Sequence, residues 1–296
     1  MDFNLTLISS KKPLSAGHLA GVERFLDAQG LSMGQPNWLE PNKAADLPVS
    51  DCMRHDQMEA LWDALAADKI DVICTCTKER RKKLLLADMD STIVTTETLD
   101  ELAAAAGIGE KVAEITRRAM NGELDFEGAL KERVGLLEDL PAKTLEETLA
   151  ATEISPGAET LVKTMRKHGA TCILVSGGFT FFTEKIAGHV GFHQHHGNQL
   201  SIANDKLTGR VHEPILGKEA KLDYLKKYTQ KLGIDLRDTM SIGDGANDLP
   251  MLQSAGLGVA YRPRPLLRES MNNCLFYSDL SALLYAQGYK KSEFAK

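Results

Sequence analysis

The 296-residue sequence lacks any apolar run approaching the ~20 residues that a membrane-spanning helix needs. It also lacks an apolar stretch of signal-peptide length at its start, where MDFNLTLISS carries an acid at Asp2. Basic residues are outnumbered by acidic ones, and the formal net charge is −6. These features argue against a membrane protein, a secreted protein and a protein that binds nucleic acid mainly through phosphate contacts. The expected location is the cytoplasm.

Cysteine is scarce and occurs in an odd number, which gives little support to a cysteine-based metal or redox site. The five cysteines are Cys52, Cys74, Cys76, Cys172 and Cys274. Cys74 and Cys76 form a C-x-C pair within DVICTCT, a strand-like segment, and no second pair accompanies them. Burial as small apolar side chains is therefore the preferred interpretation of this pair.

The composition is that of an ordinary globular protein, 43% apolar and 26% charged, in a chain long enough for two domains. Residues 1–80 show the order strand, helix, strands, helix, strand, which is typical of a ferredoxin-like module. The charged run KERRKK, residues 78–83, is interpreted as a solvated linker. In residues 81–296, strands alternate with helices, which predicts an α/β fold with a doubly wound, mainly parallel sheet. A strand-free helical insert at about 94–155 interrupts this alternation.

Three predicted strands of this sheet end in polar residues, and these strand ends form the candidate site. Asp88 and Asp90 follow the run LLLA, the segment Ser176-Gly177-Gly178 follows TCILV, and GDGAND, residues 243–248, follows TMSI. Ligands of doubly wound sheets bind beyond the carboxyl ends of the strands, so the three segments are expected to converge on one rim. Carboxylates as close as Asp88 and Asp90 repel each other, so a cation is expected beside them.

A rim of this composition suits Mg²⁺-assisted phosphoryl transfer. Mg²⁺ prefers hard oxygen ligands, and the candidates are Asp88, Asp244 and the backbone carbonyl near Asp90. The other carboxylate oxygen of Asp88 could attack phosphorus and form an aspartyl-phosphate. The Asp90 carboxyl group could protonate the leaving oxygen and then act as the base for the hydrolytic water.

The phosphate itself needs hydrogen-bond donors and a positive charge. Ser176 and the backbone N–H groups of Gly177 and Gly178 can supply the donors. Lys221, in a helix-like stretch before the third strand, is the candidate cation. Each motif alone would be an ordinary turn or loop, so the hypothesis depends on their joint occurrence after three strand-like runs.

With these residues, the chain resembles the haloacid dehalogenase superfamily and, more narrowly, its phosphoserine phosphatase family. The first superfamily motif, D-x-D-x-T, reads DMDST from Asp88 to Thr92. The second corresponds to Ser176 in VSGG, the third to Lys221 and the fourth to GDGAND. The resemblance covers about residues 84–290 and implies the roles given above, with Asp88 as the nucleophile. It also implies that two further residues shape the site around the phosphate, Asn247 and Asp248.

The helical insert occupies the position where members of this superfamily carry a cap over the site. In phosphoserine phosphatases a cap Glu binds the substrate amino group and a cap Arg binds its carboxylate. The resemblance assigns these roles to Glu97 and Arg133, and the planar fork of arginine suits a carboxylate. Met120 and Phe126 would line an apolar wall. The alternative for Arg133 is a surface ion pair with a nearby glutamate, Glu132 or Glu138.

The resemblance implies a Mg²⁺-dependent enzyme that hydrolyses O-phospho-L-serine to L-serine and phosphate, the last step of serine biosynthesis. A phosphatase or phosphotransferase for another small phosphomonoester, such as phosphohomoserine, is the alternative among enzymes. A receiver-like phospho-switch is the alternative outside enzymes. Receivers, however, lack both a helical cap and an acid at the position of Asp90.

The N-terminal unit resembles the ACT-like regulatory domains that some phosphoserine phosphatases carry. This resemblance leaves two roles open, binding of an amino-acid ligand and formation of a homodimer. His193, His195 and His196 in GFHQHHGN are interpreted as part of a polar loop, because no carboxylate or cysteine stands at metal-ligand spacing.

Overall fold

The computed structural model describes residues 1–120 and 123–295, apart from the side chains of Ala119, Met120 and Lys218. The chain begins with an antiparallel sheet unit made of β1 (Phe3–Ser9), α1 (Ala16–Ala28), β2 (Asn37–Glu40), β3 (Ala44–Val49), α2 (His55–Leu65) and β4 (Ile70–Cys76). The strand order is β2-β3-β1-β4 with antiparallel pairs, which confirms the ferredoxin-like arrangement. Helix α1 buries Leu19, Val22 and Leu26, whose spacing places them on one helix face.

The rest of the chain is built on a parallel sheet with helices between its strands. Its strands and an adjoining hairpin are β5 (Leu84–Ala87), β6 (Thr171–Phe179), β7 (Gln194–Asn198), β8 (Leu200–Ala203), β9 (Lys206–Val211), β10 (Thr239–Gly243), β11 (Leu257–Tyr261) and β12 (Cys274–Leu275). The parallel sheet has the order β12-β11-β10-β5-β6-β7, while β8 and β9 form a separate antiparallel hairpin. This confirms the predicted α/β fold.

Ten helices belong to this second part of the described chain. They are α3 (Thr98–Ala105), α4 (Gly109–Met120), α5 (Phe126–Gly135), α6 (Lys143–Ala151), α7 (Ala158–Lys167), α8 (Thr180–Val190), α9 (Lys218–Leu232), α10 (Leu249–Ser254), α11 (Pro265–Ser270) and α12 (Ala282–Ala286). Among the residues that the structure describes, none of the helices combines the length and apolarity needed to cross a membrane.

Strand β5 lies inside the parallel sheet, paired with β10 on one side and β6 on the other. Leu85 and Ala87 pack into one hydrophobic cluster, while Leu84 and Leu86 pack into the other. Both faces of the strand are therefore covered, which explains its uninterrupted apolar sequence. The sheet order also makes β10, β5 and β6 direct neighbours, so their three polar carboxyl ends lie side by side.

The helical insert leaves the sheet after β5 and returns before β6 through four helices, α3 to α6. Its two ends lie side by side, because Val94 and Ile154 form an antiparallel bridge. The insert also touches the β8–β9 hairpin, where Pro141 bridges to Lys206. The limits of about 94–155 for the insert and the boundary at residues 80 and 81 between two domains stay predictions.

The two sheets meet edge to edge, with β4 of the antiparallel sheet beside β12 of the parallel sheet. The Asn273 side-chain amide accepts from the Cys74 backbone N–H at 2.8 Å and donates to the Cys74 carbonyl at 3.0 Å. The fully buried carboxylate of Asp71 accepts from the backbone N–H groups of Phe276, Tyr277 and Ser278. These contacts anchor the antiparallel sheet to the rest of the molecule.

The prediction that KERRKK is a solvated linker is wrong for two of its residues. The guanidinium of Arg80 donates to both oxygens of Asp46 at 2.6 Å, and only 13% of its side chain is exposed. Lys82 is buried, and its ammonium donates to the carbonyl oxygens of Glu79 and Arg237. Both cations are satisfied by groups that folding brings to them, so their burial is not apparent from a local charge pattern.

Two smaller expectations also change. Cys74 is buried as predicted, but Cys76 is exposed, and both thiols are free. His195 and His196 lie on β7 instead of in a loop. The His196 ring stacks on Tyr224 at 4.0 Å between ring centroids and hydrogen-bonds to the Tyr228 hydroxyl at 2.8 Å. His196 is therefore a packed strand residue.

Candidate active site

A cavity of about 590 Å³ lies over the carboxyl ends of β10, β5 and β6 and beneath the helical insert. Its lining includes ten of the predicted site residues: Asp88, Asp90, Glu97, Phe126, Arg133, Ser176, Gly177, Gly178, Asp244 and Asn247. Lys221 is almost fully buried and contacts the site from behind Asp88. Helix α4 ends at Met120, but the side chain of Met120 lies outside the described part of the chain.

The centre of the site is a buried ion triad. The ammonium of Lys221, on α9, donates to Asp88 Oδ1 and to Asp248 Oδ1, each at 2.5 Å. All three side chains are at most 5% exposed. One cation therefore faces two carboxylates, and the triad by itself carries a net negative charge.

Burial and this excess of negative charge shift the pKa values of the triad. Burial raises the pKa of Asp88 well above its ordinary value, the neighbouring Asp248 raises it further, and Lys221 only partly opposes them. Burial lowers the pKa of Lys221, but Asp248 and Asp88 outweigh this effect, so its pKa is raised overall. The site thus holds a permanent cation and has a deficit of positive charge, which is the setting that a divalent metal ion suits.

Asp88, Asp244 and Asp248 each have a carboxylate oxygen within 4.8 Å of the others. Asp248, however, is already occupied: Oδ1 accepts from Lys221, and Oδ2 accepts from the backbone N–H groups of Asp244 and Gly245, both at 3.1 Å. Its role is therefore to shape the loop after β10. Hard carboxylate oxygens from Asp88 and Asp244 fit the ligand preference of Mg²⁺.

Glycine is required at Gly243, where β10 turns into this loop. A Cβ atom placed on Gly243 would lie 2.3 Å from the carboxyl carbon of Asp248. A side chain at this position would therefore push away the residue that supports Asp244 and Lys221. Burial and the charges of Asp248 and Glu97 raise the pKa of Asp244 to about 6.

Asp90 lies in the turn Met89–Ile93, directly after Asp88, and its own backbone is extended, with φ −65° and ψ 138°. Its carboxylate accepts from the Thr98 backbone N–H at 2.8 Å and from the Ser176 hydroxyl at 3.0 Å. Burial, followed by the charge of Glu97, raises the pKa of Asp90 to about 6. A carboxyl group with such a pKa can both give and accept a proton near neutral pH, as an acid–base catalyst must.

The polar end of β6 forms a narrow floor of the cavity. The Ser176 hydroxyl accepts from the Gly178 backbone N–H at 2.8 Å, which curls the chain around this oxygen. A Cβ atom on Gly178 would lie 2.8 Å from Asp90 Oδ2, and one on Gly177 would lie 3.1 Å from the ring of Phe126. The insert thus touches the strand end through Phe126, and both glycines keep that space open.

Glu97 and Arg133 enter the cavity from the insert. Arg133 lies on α5, one face of which also carries Phe126, and its Nε donates to the Ala129 carbonyl at 3.2 Å. Burial lowers the pKa of the Arg133 guanidinium, and the charges of Asp100 and Glu97 oppose this. The surface-pair alternative is not supported, because within the described part of the chain no ion pair joins Arg133 to Glu132 or Glu138, and Glu132 pairs with Arg118 at 2.8 Å.

Arg264 is a cavity residue that the sequence interpretation missed. It follows β11, the strand next to β10, and pairs with Glu97 at 2.8 Å and with Asp244 at 3.2 Å. Asp100, on α3, also lines the cavity without having been predicted. A signal for Arg264 was present, because its segment RPRP follows the strand-like run LGVAY of the same sheet.

Comparison with known proteins agrees with this geometry. Residues 85–253 match the family of haloacid dehalogenase-like hydrolases. A phosphoserine phosphatase of Methanocaldococcus jannaschii is 41% identical over 206 residues, which are 70% of this chain and 98% of that protein. A phosphoserine phosphatase of Streptomyces coelicolor is 37% identical over 285 residues, which are 95% of this chain and 70% of that protein.

Among solved structures, a probable phosphoserine phosphatase from Vibrio cholerae in unliganded form matches with a TM-score of 0.78 at 28% identity. The match covers 99% of this chain and 89% of that one, so it includes the antiparallel sheet. The chain belongs to the haloacid dehalogenase-like hydrolase family. The prediction of a phosphatase enzyme of this family is confirmed, and the receiver-like alternative has no support.

Proposed function

We propose that the chain is a Mg²⁺-dependent phosphoserine phosphatase that hydrolyses O-phospho-L-serine through an aspartyl-phosphate. The observation that carries the proposal is the position of Glu97 and Arg133, which line the same cavity as Asp88. An anionic and a cationic side chain beside a phosphoryl-transfer centre match the ammonium and carboxylate groups of a phosphorylated amino acid. Relatives named as phosphoserine phosphatases match 70% and 95% of the chain and support the same substrate.

Asp88 acts as the nucleophile in this proposal. Lys221 holds Oδ1, which orients the carboxylate and leaves Oδ2 to attack phosphorus. As the bond from Oδ2 to phosphorus forms, the bond between phosphorus and the serine oxygen breaks, and its electron pair stays on that oxygen. Asp90 in its protonated form gives a proton to this leaving oxygen, so serine departs as the neutral alcohol.

The second half of the reaction regenerates the carboxylate. Asp90, now ionised, takes a proton from a water molecule whose oxygen attacks phosphorus. The bond between phosphorus and Asp88 breaks, and inorganic phosphate is released. The pKa of about 6 for Asp90 suits both directions of proton transfer.

Asp88 and Asp244 would hold Mg²⁺ through carboxylate oxygens, and Asp90 would contribute its backbone carbonyl. When bound, the ion would neutralise charge on the phosphoryl oxygens and screen Asp88 from them. Ser176, Lys221 and the backbone N–H group of Gly177 would hold the phosphoryl group, and the Gly178 N–H would join them by exchanging its bond to the Ser176 hydroxyl for one to phosphate. Asn247 lines the cavity beside Asp244 and would complete this set of donors.

The insert would bind the amino-acid part of the substrate. The Glu97 carboxylate would accept from the ammonium group, and the Arg133 guanidinium would donate to the carboxylate. Phe126, which contacts Gly177, would form the apolar wall, together with Met120. The insert lies over the cavity and would close further to exclude water during the reaction and open again to release serine.

The test is Mg²⁺-dependent phosphate release from L-phosphoserine, D-phosphoserine, phosphothreonine, phosphohomoserine, a sugar phosphate and p-nitrophenyl phosphate. We expect L-phosphoserine to exceed the sugar phosphate and p-nitrophenyl phosphate, which lack both charged groups, in kcat/KM by about 100-fold or more, since two charge-assisted contacts contribute about 1.5–3 kcal/mol each. Asp88→Asn, whose amide is a poor nucleophile, is the inactive control. Equal rates across the panel, or a leading sugar phosphate, would contradict the roles of Glu97 and Arg133 while leaving the enzyme class intact.

The enzyme would act in the cytoplasm in the last step of serine biosynthesis. The antiparallel sheet unit would either bind an amino acid or form a homodimer interface. Calorimetric titration with L-serine, carried out on Arg133→Ala so that product binding at the active site is weakened, and the solution mass of the protein separate these two roles. A monomer that does not bind serine would contradict both.

A further inference from the structure

Arg264 is a cation of the cavity to which the proposed mechanism gives no role. It follows β11 and is anchored at two points to Asp244, because its backbone N–H donates to the Asp244 carbonyl at 3.0 Å and its Nε donates to Asp244 Oδ2 at 3.2 Å. Its Nη2 extends from this anchor to Glu97 Oε1 at 2.8 Å. Arg264 thus connects the third strand end to the first residue of the insert that faces the cavity.

Glu97 is held through a single oxygen. Oε1 accepts from Nη2 of Arg264 and from the hydroxyl of Ser91, both at 2.8 Å. Among the residues that the structure describes, no donor occupies Oε2 of Glu97. Two donors on one oxygen fix the plane of the carboxylate and leave the other oxygen for a ligand.

We propose that Arg264 is a positioning residue for substrate recognition: anchored on Asp244, it holds Glu97 so that the free carboxylate oxygen faces the ammonium group of the substrate. This inference rests on the proposed function, because it takes Glu97 as the ammonium-binding group. It assigns Arg264 a part in the selection of amino-acid phosphates and no part in bond making or breaking.

The geometry favours positioning over a contribution to stability. The Arg264 side chain is 46% exposed and that of Glu97 is 41% exposed, so their ion pair is screened by water. An isolated exposed pair contributes little to folding. Orientation of a binding carboxylate, by contrast, acts directly on the affinity for the group that it binds. Arg264 uses two different nitrogen atoms of one planar group, Nε for Asp244 and Nη2 for Glu97, whereas lysine carries all its donors on a single nitrogen.

The test measures selectivity for the amino group. The substrates are L-phosphoserine and its analogue without the amino group, 3-(phosphonooxy)propanoate, and the measured quantity is the ratio of their kcat/KM values. We expect Arg264→Ala to lower this ratio about 10-fold, mainly through KM for phosphoserine. Arg264→Lys should restore part of the ratio. The matched control is Arg268→Ala. Arg268 lies in the same segment as Arg264, but it pairs with Asp63, away from the cavity.

A double-mutant cycle with Glu97→Gln shows whether Arg264 acts through Glu97. We expect Arg264→Ala to have no further effect on the ratio, within about 2-fold, once Glu97 is replaced. Full additivity of the two substitutions would overturn the inference. So would an Arg264→Ala variant with the wild-type ratio, or an equal loss on both substrates.

Asp244 is both the anchor of Arg264 and a proposed metal ligand, so the affinity for Mg²⁺ is measured separately by calorimetry. We expect the Kd of Arg264→Ala for Mg²⁺ to remain within about 3-fold of the wild-type value. A rise of about 10-fold or more, as loss of an outer-sphere contact can cause, would place the effect at the metal site and overturn the inference. If wild-type protein does not distinguish the two substrates, the proposed function fails, whereas a selective wild type with an equally selective Arg264→Ala variant contradicts only the role of Arg264.

Discussion

Replacement of Asp88 by asparagine should abolish activity and yet stabilise the metal-free protein. Asp88 is 4% exposed, and burial and Asp248 both disfavour its charge more than Lys221 favours it. Asparagine has nearly the same shape, removes the buried charge and leaves the contact between Lys221 and Asp248 in place. From the stabilisation that removal of buried charges can give, we expect the free energy of unfolding to rise by about 1–2 kcal/mol.

The assay is equilibrium unfolding in urea near neutral pH with a chelator present. Lys221→Met is the matched control, because it leaves the carboxylates of Asp88 and Asp248 without a cation and should cost about 3–5 kcal/mol. Addition of Mg²⁺ at about 100 times its Kd should stabilise the wild type by about 2.7 kcal/mol and reverse the order of wild type and Asp88→Asn. An Asp88→Asn variant that is less stable than wild type in chelator would show that Lys221 more than compensates the Asp88 charge, and the reasoning would be wrong.

Three further predictions concern other parts of the molecule. Arg133→Ala should lower the kcat/KM ratio of phosphoserine to phosphoethanolamine, which lacks the carboxylate, by about 10-fold or more, and an unchanged ratio would remove Arg133 from the binding site. The pKa of His196 is lowered to about 4 by burial and by Lys227, so the unfolded chain takes up a proton at higher pH than the folded one, and stability falls as the pH drops through 6.5. After allowance for partial exposure, wild type should lose about 1 kcal/mol more than His196→Gln between about pH 7 and pH 5, as urea unfolding at both pH values would show. Arg80→Ala leaves Asp46 buried without its cation and should reduce the free energy of unfolding by about 3 kcal/mol, and a loss below about 1 kcal/mol in urea unfolding would mean that water replaces the guanidinium.

The parallel sheet and its polar edge were predictable because they depend on local pattern and a general rule. Each strand is a short apolar run followed by polar residues, and the rule that ligands bind beyond carboxyl ends brought Asp88, Ser176 and Asp244 together. The observed order, with β5 between β10 and β6, places these ends side by side. The same rule applied to β11 would have pointed to Arg264, which was overlooked because RPRP matches no motif.

Other features depend on contacts between distant parts of the chain and are not visible in local sequence. The buried state of Arg80 depends on Asp46, and that of Lys82 depends on the carbonyl of Arg237. The hydrogen bonds that Asp248 accepts from Lys221 and from the Asp244 backbone N–H form only when the loop after β10 has folded over Lys221. The roles of Glu97 and Arg133 came from family resemblance, because helical periodicity alone does not tell which side of an insert faces a cavity.

The contact between β4 and β12 has a consequence for the solubility of the protein. Both are edge strands, β4 of the antiparallel sheet and β12 of the parallel sheet, and the outer edge of such a strand offers unpaired backbone groups to strands of other molecules. Here the Asn273 amide occupies the outward N–H and carbonyl of Cys74, and Asp71 occupies the N–H groups that follow β12. A fragment cut between the two sheets would free the backbone groups of Cys74 and of the residues after β12 to pair with other chains.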